Sequence, residues 1–339
     1  MRLWIFILLI GCLSSLLTYL YIFIAIKFSI FDHPNQRSSH SIITPRGGGI
    51  AIVISYFVGL LTIYNKDVVQ EPIFLALLSG GLAVSIIGFI DDKFGLSARL
   101  RIIIQFIAAT FALWCLGDVP QLPFGILESH FKPLGYLLAT LLILWSTNLF
   151  NFMDGINGLA ALESIFVTLG GALILILVGE TMHAASLLLI ATSSLGFLVF
   201  NFPKAKVFMG DSGSLFLGFM IAVYAIGLSN EDIISPWTWV ILYGYFIIDS
   251  SYTLMVRIVT NQQIFSAHHL HAYQTWARRS ESHAKVTTRV MLINLCWLLP
   301  WAITATVYHQ YSMLFCFISL LPLISFVFLM KAGNTNKND

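Results

Sequence analysis

The sequence predicts an all-α protein that crosses a membrane many times. Hydrophobic residues make up 58% of its 339 residues and charged residues only 10%, whereas a soluble domain carries about 25% charged residues. The mean hydropathy is +0.86. Because lipid offers no partners to free backbone groups, long apolar runs are expected to be helical. We expect residues 1–331 to form one integral-membrane domain, followed by a short tail, 332–339.

Eleven apolar runs are long enough, or nearly so, to cross the ~30 Å hydrocarbon core of a bilayer. They lie near residues 3–26, 48–64, 73–90, 101–117, 134–150, 158–178, 184–200, 213–229, 237–258, 286–307 and 312–330. The first run continues to about Phe28, longer than the apolar part of a signal peptide, and no small-residue cleavage site ends it. We therefore expect it to be a retained span.

The positive charges predict the orientation of these spans. Eleven crossings divide the 18 Lys and Arg residues so that only Arg2, Lys66 and Lys132 fall on one side. The other side is then cytoplasmic, the N-terminus is outside and the C-terminal tail is inside. The net charge of +2 gives no basic surface for nucleic acid. The four cysteines, all in apolar runs, show neither a disulfide pattern nor metal-ligand spacing.

Asp211 lies in the stretch NFPKAKVFMGDSGS, among small residues just where a new apolar run begins. A carboxylate beside the free N–H groups of a helix start suits a metal-bridged phosphate. The alternative is a helix cap, because Asp and Ser are favoured at that position. The other predicted cytoplasmic loops also concentrate acids, amides and histidines, which favours the functional interpretation.

The pair Asp91 and Asp92 follows an apolar run at the predicted membrane boundary. Adjacent carboxylates repel unless a cation lies nearby, so a Mg²⁺ ion or a general base would explain them. The alternative is the start of a solvated loop.

Asn148, Asn151, Asp154 and Asn157 recur every three residues, with a predicted helix break at Asp154. Such groups are costly in an apolar setting unless they bind something. Polar contacts between helices are the alternative.

His268, His269 and His271 lie in the longest predicted cytoplasmic loop. The spacing could suit a transition metal, but no cysteine or acid is at ligand spacing, so we prefer contacts to phosphate or nucleotide. A surface cluster without a role is the alternative. Asp249 lies inside a span and is a functional candidate by default. Pairing with Arg257, two turns later, would instead make it structural.

Taken together, these loops resemble the polyprenyl-phosphate N-acetylhexosamine-1-phosphate transferase family, from about Asp32 to Gln274. The stretches that carry the resemblance are DHPNQRSSHSIITPRGGG, GFIDD, NLFNFMDGINGLA, NFPKAKVFMGDSGS and HHLHAYQ. Each is weak alone, but their order and their shared side of the membrane make the resemblance specific. It implies that a polyprenyl phosphate attacks the β-phosphate of a UDP-amino sugar and that UMP leaves. Mg²⁺ is the implied metal, with Mn²⁺ as an alternative.

The resemblance also implies roles for individual residues. Asp211 matches the metal-binding aspartate, Asp91 and Asp92 the catalytic pair, one of which deprotonates the lipid phosphate, and Asp154 is a further catalytic candidate. The candidates for substrate binding are Arg46, Asn148, Asn151, Asn157, Asn201, Phe208, His268, His269 and His271. The implied partners are undecaprenyl phosphate, a UDP-N-acetylhexosamine, membrane lipid and a second copy of the chain. The implied location is the bacterial inner membrane, with the active site on its cytoplasmic face.

Three departures separate the chain from phospho-N-acetylmuramoyl-pentapeptide transferase, the peptidoglycan member of the family. Gly95 replaces a lysine, Asn157 replaces an aspartate, and Leu270 interrupts the histidine run. They favour an enzyme that initiates O-antigen, capsule or a related polysaccharide, with GlcNAc, GalNAc, FucNAc or QuiNAc as the sugar. The alternatives are the peptidoglycan enzyme and a transporter or flippase for lipid-linked sugars. Transporters usually place their polar residues at the midplane within internal repeats, which we do not find here.

Overall fold

The structure is a computed structural model that describes residues 3–34, 42–66, 68–117, 132–263 and 269–334. Its helices are α1 (Leu3–Lys27), α2 (Ile50–Tyr64), α3 (Glu71–Phe94), α4 (Ala98–Leu116), α5 (Lys132–Phe152), α6 (Leu159–Leu177), α7 (Thr181–Asn201), α8 (Asp211–Asn230), α9 (Pro236–Leu242), α10 (Gly244–Val259), α11 (Ala272–Ser280), α12 (His283–Ile293), α13 (Leu299–Val307) and α14 (Ser312–Leu329). A π-helical turn (Asn294–Leu298) joins α12 to α13, and a 3-10 turn (His309–Tyr311) precedes α14. The strands β1 (Phe31–Asp32) and β2 (Thr44–Pro45) form a short antiparallel ladder.

The all-α membrane class is confirmed. Within the described ranges, nine helical segments are long and apolar enough to cross a membrane, and α9 with α10, bent by 80°, would be a tenth. Each of the eleven predicted runs coincides with one helix or one such series of helices. These ten segments account for ten of the eleven predicted runs. The eleventh coincides with α2, which has 15 residues and is shorter than any of the ten segments. Eleven crossings and the orientation of the termini therefore stay predictions.

A tight connection between α3 and α4 brings charged residues from both helices together. Helix α3 ends at Gly95, which adopts the left-handed conformation at φ 67°, where glycine is strongly favoured. The side chain of Ser97 then accepts the Leu100 N–H and caps α4. Because the link is so short, the last turn of α3, with Asp91 and Asp92, lies beside the first turn of α4, with Arg101.

Helix α8 lies at the centre of the bundle, and nearly all of its residues are buried. Glycines allow its neighbours to approach closely. A Cβ on Gly218 would lie 2.4 Å from the Ser146 carbonyl oxygen of α5. A Cβ on Gly88 of α3 would lie 2.5 Å from the carbonyl oxygen of Asp211. Helices α3 and α8 are thus in backbone contact at the level of Asp211.

Candidate functional site

An open cavity with a volume of about 260 Å³ lies at the helix ends that carry the predicted functional loops. It is lined by Asp32, Arg46, Asn151, Asp154, Gly155, Ile156, Asn157, Asn201, Phe208, Gly210, Asp211, Gln274 and His283. The cavity is open to solvent, and most of its lining surface is polar. Seven of the residues singled out from the sequence therefore converge on one cavity.

Asp211 is held between two arginines. Its Oδ1 accepts a bond from Arg46 Nη2 at 2.8 Å, and its Oδ2 accepts one from Arg101 Nη1 at 2.9 Å. The two guanidinium groups come from distant parts of the chain, the loop before α2 and the first turn of α4. Helix α8 begins at Asp211 itself, so the alternative of a side-chain N-cap by this residue is not what the structure shows.

Asp92 supplies the cap that α8 needs. Its carboxylate accepts the N–H groups of Asp211 at 2.9 Å and Ser212 at 3.1 Å, and it pairs with Arg46 Nε at 2.9 Å. Gly210 makes this possible, because it has φ 75° and an added Cβ would lie 2.6 Å from Asp92 Oδ2. Asp92 is therefore a buried part of the scaffold that fixes Asp211, not the start of a solvated loop.

Asp91 faces a different set of groups. One oxygen accepts the Leu96 N–H at 2.5 Å and the other accepts Arg101 Nη1 at 2.6 Å. Asp91 does not line the cavity, and neither does Arg101. The two members of the acidic pair thus bind different groups around Asp211.

The loop that carries Arg46 is attached to the loop before α8 by backbone bonds. Phe208 N–H donates to the Pro45 carbonyl at 2.8 Å, Gly48 N–H to Phe208 at 2.9 Å and Gly49 N–H to Met209 at 2.8 Å. Burial works against the charge of Arg46, but the carboxylates of Asp211 and Asp92 outweigh it and hold the pKa of the guanidinium above its usual range. Arg46 is therefore a permanent cation at the wall of the cavity.

Asn151 and Asp154 lie at the end of α5 and in the turn that follows. Asn151 Nδ2 donates to Ser214 Oγ at 2.9 Å. Within the described residues, the half-buried Asp154 carboxylate accepts no hydrogen bond. Burial, and then the charges of Asp211 and Asp92, raise the pKa of Asp154 well above its ordinary value. A cation or a bound proton donor is the natural complement to such a group.

Asn157 and Asn201 border the cavity but are engaged with backbone. Asn201 is 4% exposed, accepts the Gly158 N–H at 2.7 Å and donates to the Val207 carbonyl at 2.9 Å. Asn157 Nδ2 donates to the Pro203 carbonyl at 3.3 Å. Asn201 thereby joins the loop before α8 to the turn before α6, so its evident role is to hold the cavity walls.

Three of the predicted substrate-binding residues that the structure describes are not brought to the cavity wall. Asn148 lies about one turn before Asn151 on α5 and donates to Gln105 Oε1 at 2.7 Å. His271 is 3% exposed and forms the N-cap of α11. His269 lies outside the cavity lining, and its carbonyl accepts a bond from Arg278 at 2.9 Å. His268 falls outside the described residues.

Asp249 has a structural partner other than the one predicted. Its oxygens accept the N–H groups of Ala272 at 2.8 Å and Tyr273 at 2.9 Å, whereas Arg257 donates to the carbonyl of Gln263. The suggested pairing of Asp249 with Arg257 is therefore wrong, because the Asp249 carboxylate is bonded to the first N–H groups of α11. Tyr273, so placed, donates to the Phe152 carbonyl at 2.9 Å.

The sequence reasoning missed several residues of this region. Arg101, Gln105, Gln274, His283 and Asp32 were not selected as site residues, yet Arg101 pairs with Asp211 and the others line the cavity or adjoin the site. The spacing of Arg101 and Gln105, four residues apart on a helix that follows the acidic pair, is the one signal that could have identified two of them.

The donor set fits a magnesium ion held mainly by substrate. Within the described residues, no three acidic, histidine or cysteine side chains converge on one point. Mg²⁺ is commonly bound by only one or two carboxylates together with phosphate oxygens and water. Asp211 and the unpaired Asp154 carboxylate both face the cavity and could supply these two ligands.

Comparison with known proteins agrees with this geometry. Residues 74–229 match glycosyl transferase family 4. A probable undecaprenyl-phosphate N-acetylglucosaminyl 1-phosphate transferase of Bacillus subtilis (strain 168) is 30% identical over 315 residues, covering 89% of this chain and 85% of that protein. An undecaprenyl-phosphate alpha-N-acetylglucosaminyl 1-phosphate transferase of Thermotoga maritima is 24% identical over 96% of this chain and 97% of its own. A phospho-N-acetylmuramoyl-pentapeptide-transferase of Rickettsia akari is 28% identical, covering 76% and 78%.

Proposed function

The chain belongs to the polyprenyl-phosphate N-acetylhexosamine-1-phosphate transferase family, and from this premise we propose that it transfers a HexNAc-1-phosphate from a UDP-amino sugar to undecaprenyl phosphate. The observation that carries the proposal is Asp211, placed at the start of a buried helix between two arginines, at the wall of an open, polar cavity. A multi-span membrane protein suits a reaction whose acceptor is a lipid and whose donor is water-soluble.

In the proposed reaction, an oxygen of the lipid phosphate attacks the β-phosphorus of the UDP-sugar. The bond between that phosphorus and the oxygen bridging to the α-phosphate breaks, and this oxygen leaves with its electron pair as part of UMP. The products are undecaprenyl-diphospho-sugar and UMP. Phosphoryl transfer of this kind depends on positioning and on neutralising charge, and the cavity offers groups for both.

Different residues of this chain would position the substrates and neutralise their charge, according to where each residue lies. Arg46 is a permanent cation at the wall and would bind the donor diphosphate. Asn151, Phe208 and Gln274 line the same cavity and would contact the nucleotide or the sugar. Asp91, which pairs with Arg101 beside Asp211, is the group best placed to accept the proton of the lipid phosphate.

Asp211 and Asp154 would hold the magnesium ion. When bound, the ion would offset the charge of the donor diphosphate and of the leaving UMP. In the structure, both Asp211 oxygens are paired with arginines, so we expect Arg46 to exchange this contact for donor phosphate when substrate binds.

Among the family's reactions we favour the one that initiates O-antigen, capsule or a related cell-envelope polysaccharide. The support is the B. subtilis relative, 30% identical over 89% of the chain, against 28% over 76% for the R. akari muramoyl-pentapeptide transferase. The departures at Gly95, Asn157 and Leu270 point the same way. We further propose that the enzyme lies in the bacterial inner membrane with this cavity facing the cytoplasm, where UDP-sugars are made, and that two copies can associate.

One assay tests the proposal. Membranes containing the protein are mixed with undecaprenyl phosphate, Mg²⁺ and a panel of radiolabelled donors, namely UDP-GlcNAc, UDP-GalNAc, UDP-FucNAc, UDP-QuiNAc and UDP-MurNAc-pentapeptide. We expect butanol-soluble label from one UDP-amino sugar, formed together with an equal amount of UMP. Membranes with the Asp211→Asn variant are the control. Label only from the pentapeptide donor would replace our choice with the peptidoglycan reaction, and no label from any donor would contradict both.

A further inference from the structure

A second group of polar residues adjoins Asp211 but does not line the cavity. Arg101 contacts Asp211 there, and Gln105 follows one turn later on the same face of α4. Gln105 pairs with Asn148 of α5, and none of these three residues lines the donor cavity. One oxygen of Asp211 thus contacts Arg46 at the cavity wall, and the other contacts Arg101, which begins a polar seam between α4 and α5.

The orientation of the Gln105 amide is fixed by its partner. Asn148 Nδ2 donates both to Gln105 Oε1 at 2.7 Å and to the Leu144 carbonyl at 2.8 Å. If the Gln105 amide were reversed, two NH₂ groups would face each other. The Nε2 of Gln105 must therefore be the other terminal atom, and in the part of the chain that the structure describes it has no hydrogen-bond partner, although the residue is only 1% exposed.

Such a donor is expensive in a membrane protein. Leaving a buried amide donor without a partner costs about 1–3 kcal/mol of stability. The Gln105–Asn148 pair also lies inside the helix bundle and not among the loops at the helix ends. Gln105 lies seven residues into α4, about 10 Å from its start at 1.5 Å per residue. A contact that served only to join α4 to α5 would have no need of the second amide nitrogen.

The surroundings indicate what would occupy this donor. Arg101 uses a single nitrogen, Nη1, for both Asp91 and Asp211, and its remaining donors have no partner among the described residues. Guanidinium and amide N–H groups together suit an anion with several oxygens. On α4, the neighbouring side chains of Ile103, Phe106 and Ile107 are exposed by 44–61% and face the lipid in a membrane-spanning helix. The anion would thus arrive attached to an apolar chain.

We propose that the seam formed by Arg101, Gln105 and Asn148 binds the phosphate of the acceptor lipid, with Gln105 Nε2 donating a hydrogen bond to it. The inference rests on the proposed function and adds the residues that receive the acceptor. It places the acceptor phosphate next to Asp91 and the donor diphosphate next to Arg46. The acceptor phosphate would then attack the β-phosphorus of the donor beside Asp211, which lies between them.

The test compares lipid binding by two variants of Gln105. Gln105→Glu keeps the oxygen that accepts from Asn148 and replaces only the donor nitrogen with an oxygen. Gln105→Met removes both without adding a charge, and it keeps the test decisive if the glutamate variant is unstable. Thr110→Val, on the same helix but bonded only to the Phe106 carbonyl, is the matched control.

The full-length protein in phosphatidylcholine nanodiscs is titrated with radiolabelled undecaprenyl phosphate, with undecaprenol and with inorganic phosphate. UDP binding, which uses the donor cavity, reports that each variant is folded. We expect both Gln105 variants to lose about tenfold or more in affinity for undecaprenyl phosphate, with no change for undecaprenol or UDP, and Thr110→Val to match the wild type. Affinity of the seam for inorganic phosphate alone would be weak, because the apolar chain contributes nothing.

The outcomes separate the two proposals. If the wild type makes lipid-linked sugar but the Gln105 variants bind undecaprenyl phosphate normally, the seam is only a contact between helices and the inference is wrong. Equal losses for undecaprenol and undecaprenyl phosphate would also contradict it, because they would show an effect on the lipid chain. If the wild type binds UDP but neither binds nor uses undecaprenyl phosphate, the proposed function itself fails.

Discussion

The carboxylate of Asp92 caps the helix on which Asp211 stands, although the two residues are 119 positions apart in the chain. It accepts two N–H groups of α8 at 2.9 and 3.1 Å and is 3% exposed. The last turn of α3 thus sets the position of the acid that we assign to the metal. Asp91, its neighbour, pairs instead with Arg101. The acidic pair therefore combines a positioning residue with a group next to the acceptor seam.

Asp211→Asn should abolish turnover while the protein still inserts and folds. Asparagine keeps the size of the side chain but removes the charge that both arginines and the metal ion need, and we expect a loss of at least about a hundredfold in rate. The measurement is product formation over a full Mg²⁺ titration, with Asp232→Asn, an exposed residue at the far end of α8, as the control. Near-wild-type activity at any Mg²⁺ concentration would show that the metal assignment is wrong.

Asp91→Asn and Asp92→Asn should fail differently. Without Asp91, the lipid phosphate must lose its second proton unaided, so the residual rate should rise as the pH passes ~6–7. Asparagine at position 92 has one acceptor oxygen instead of two, so one of the two N–H bonds to α8 is lost. We expect a loss of about 1 kcal/mol of stability together with a higher Mg²⁺ requirement. Rate against pH, rate against Mg²⁺ and thermal melting in detergent measure these effects. Identical profiles for both variants would contradict the division of roles.

The stability of the metal-free protein should depend on pH through Asp154. Its pKa is raised by burial and by the charges of Asp211 and Asp92. The folded state therefore keeps a proton that the unfolded chain releases above about pH 4. Stability is then lost as the pH rises towards the raised pKa. In EDTA, Asp154→Asn should melt at a higher temperature than the wild type at pH 8, and the difference should shrink towards pH 4. A difference that does not change with pH would argue against the raised pKa.

The predicted orientation can be tested with two single-cysteine variants on a cysteine-free background. Lys285 is exposed near the start of α12, and Asp232 is exposed after α8. A membrane-impermeant thiol reagent should label Asp232→Cys in intact cells and Lys285→Cys only in inverted vesicles. The opposite pattern would place the cavity on the wrong side for cytoplasmic UDP-sugars.

Gly88→Ala should prevent correct assembly of the site, because the new Cβ would lie 2.5 Å from the Asp211 carbonyl oxygen. Gly227→Ala is the matched control, since its Cβ would make only ordinary contacts, with Leu116 at 3.5 Å and Ile73 at 3.7 Å. We expect the first variant to give little monodisperse protein on size exclusion and the second to equal or exceed the wild type, because alanine favours the helix. Similar yields and melting temperatures for both would contradict close contact of α3 with α8.

The sequence predicted the helices well because apolar length alone determines them in a membrane protein. It also predicted that Arg46, Asn151, Asp154 and Asp211 converge, since polar residues in so apolar a chain have few reasons to be there. It could not predict that Asp92 caps α8 or that Asp249 caps α11, because capping between distant elements leaves no local pattern. Arg101 and Gln105 were missed for a related reason. Which face of α4 meets α5 is decided by packing, and charge counts do not show it.

The central position of α8 also bears on how the protein is made. Helices α2 to α5, which surround it, are synthesised first. The ribosome must add 119 residues after Asp92 to reach Asp211, whose N–H group Asp92 accepts in the finished protein. At roughly 5–20 residues per second, that interval is on the order of 6 to 24 s. During that time the acids of α3 have no partners from α8 at the membrane surface. We therefore expect biogenesis to pass through an intermediate in which α3 is complete and the place of α8 is still empty.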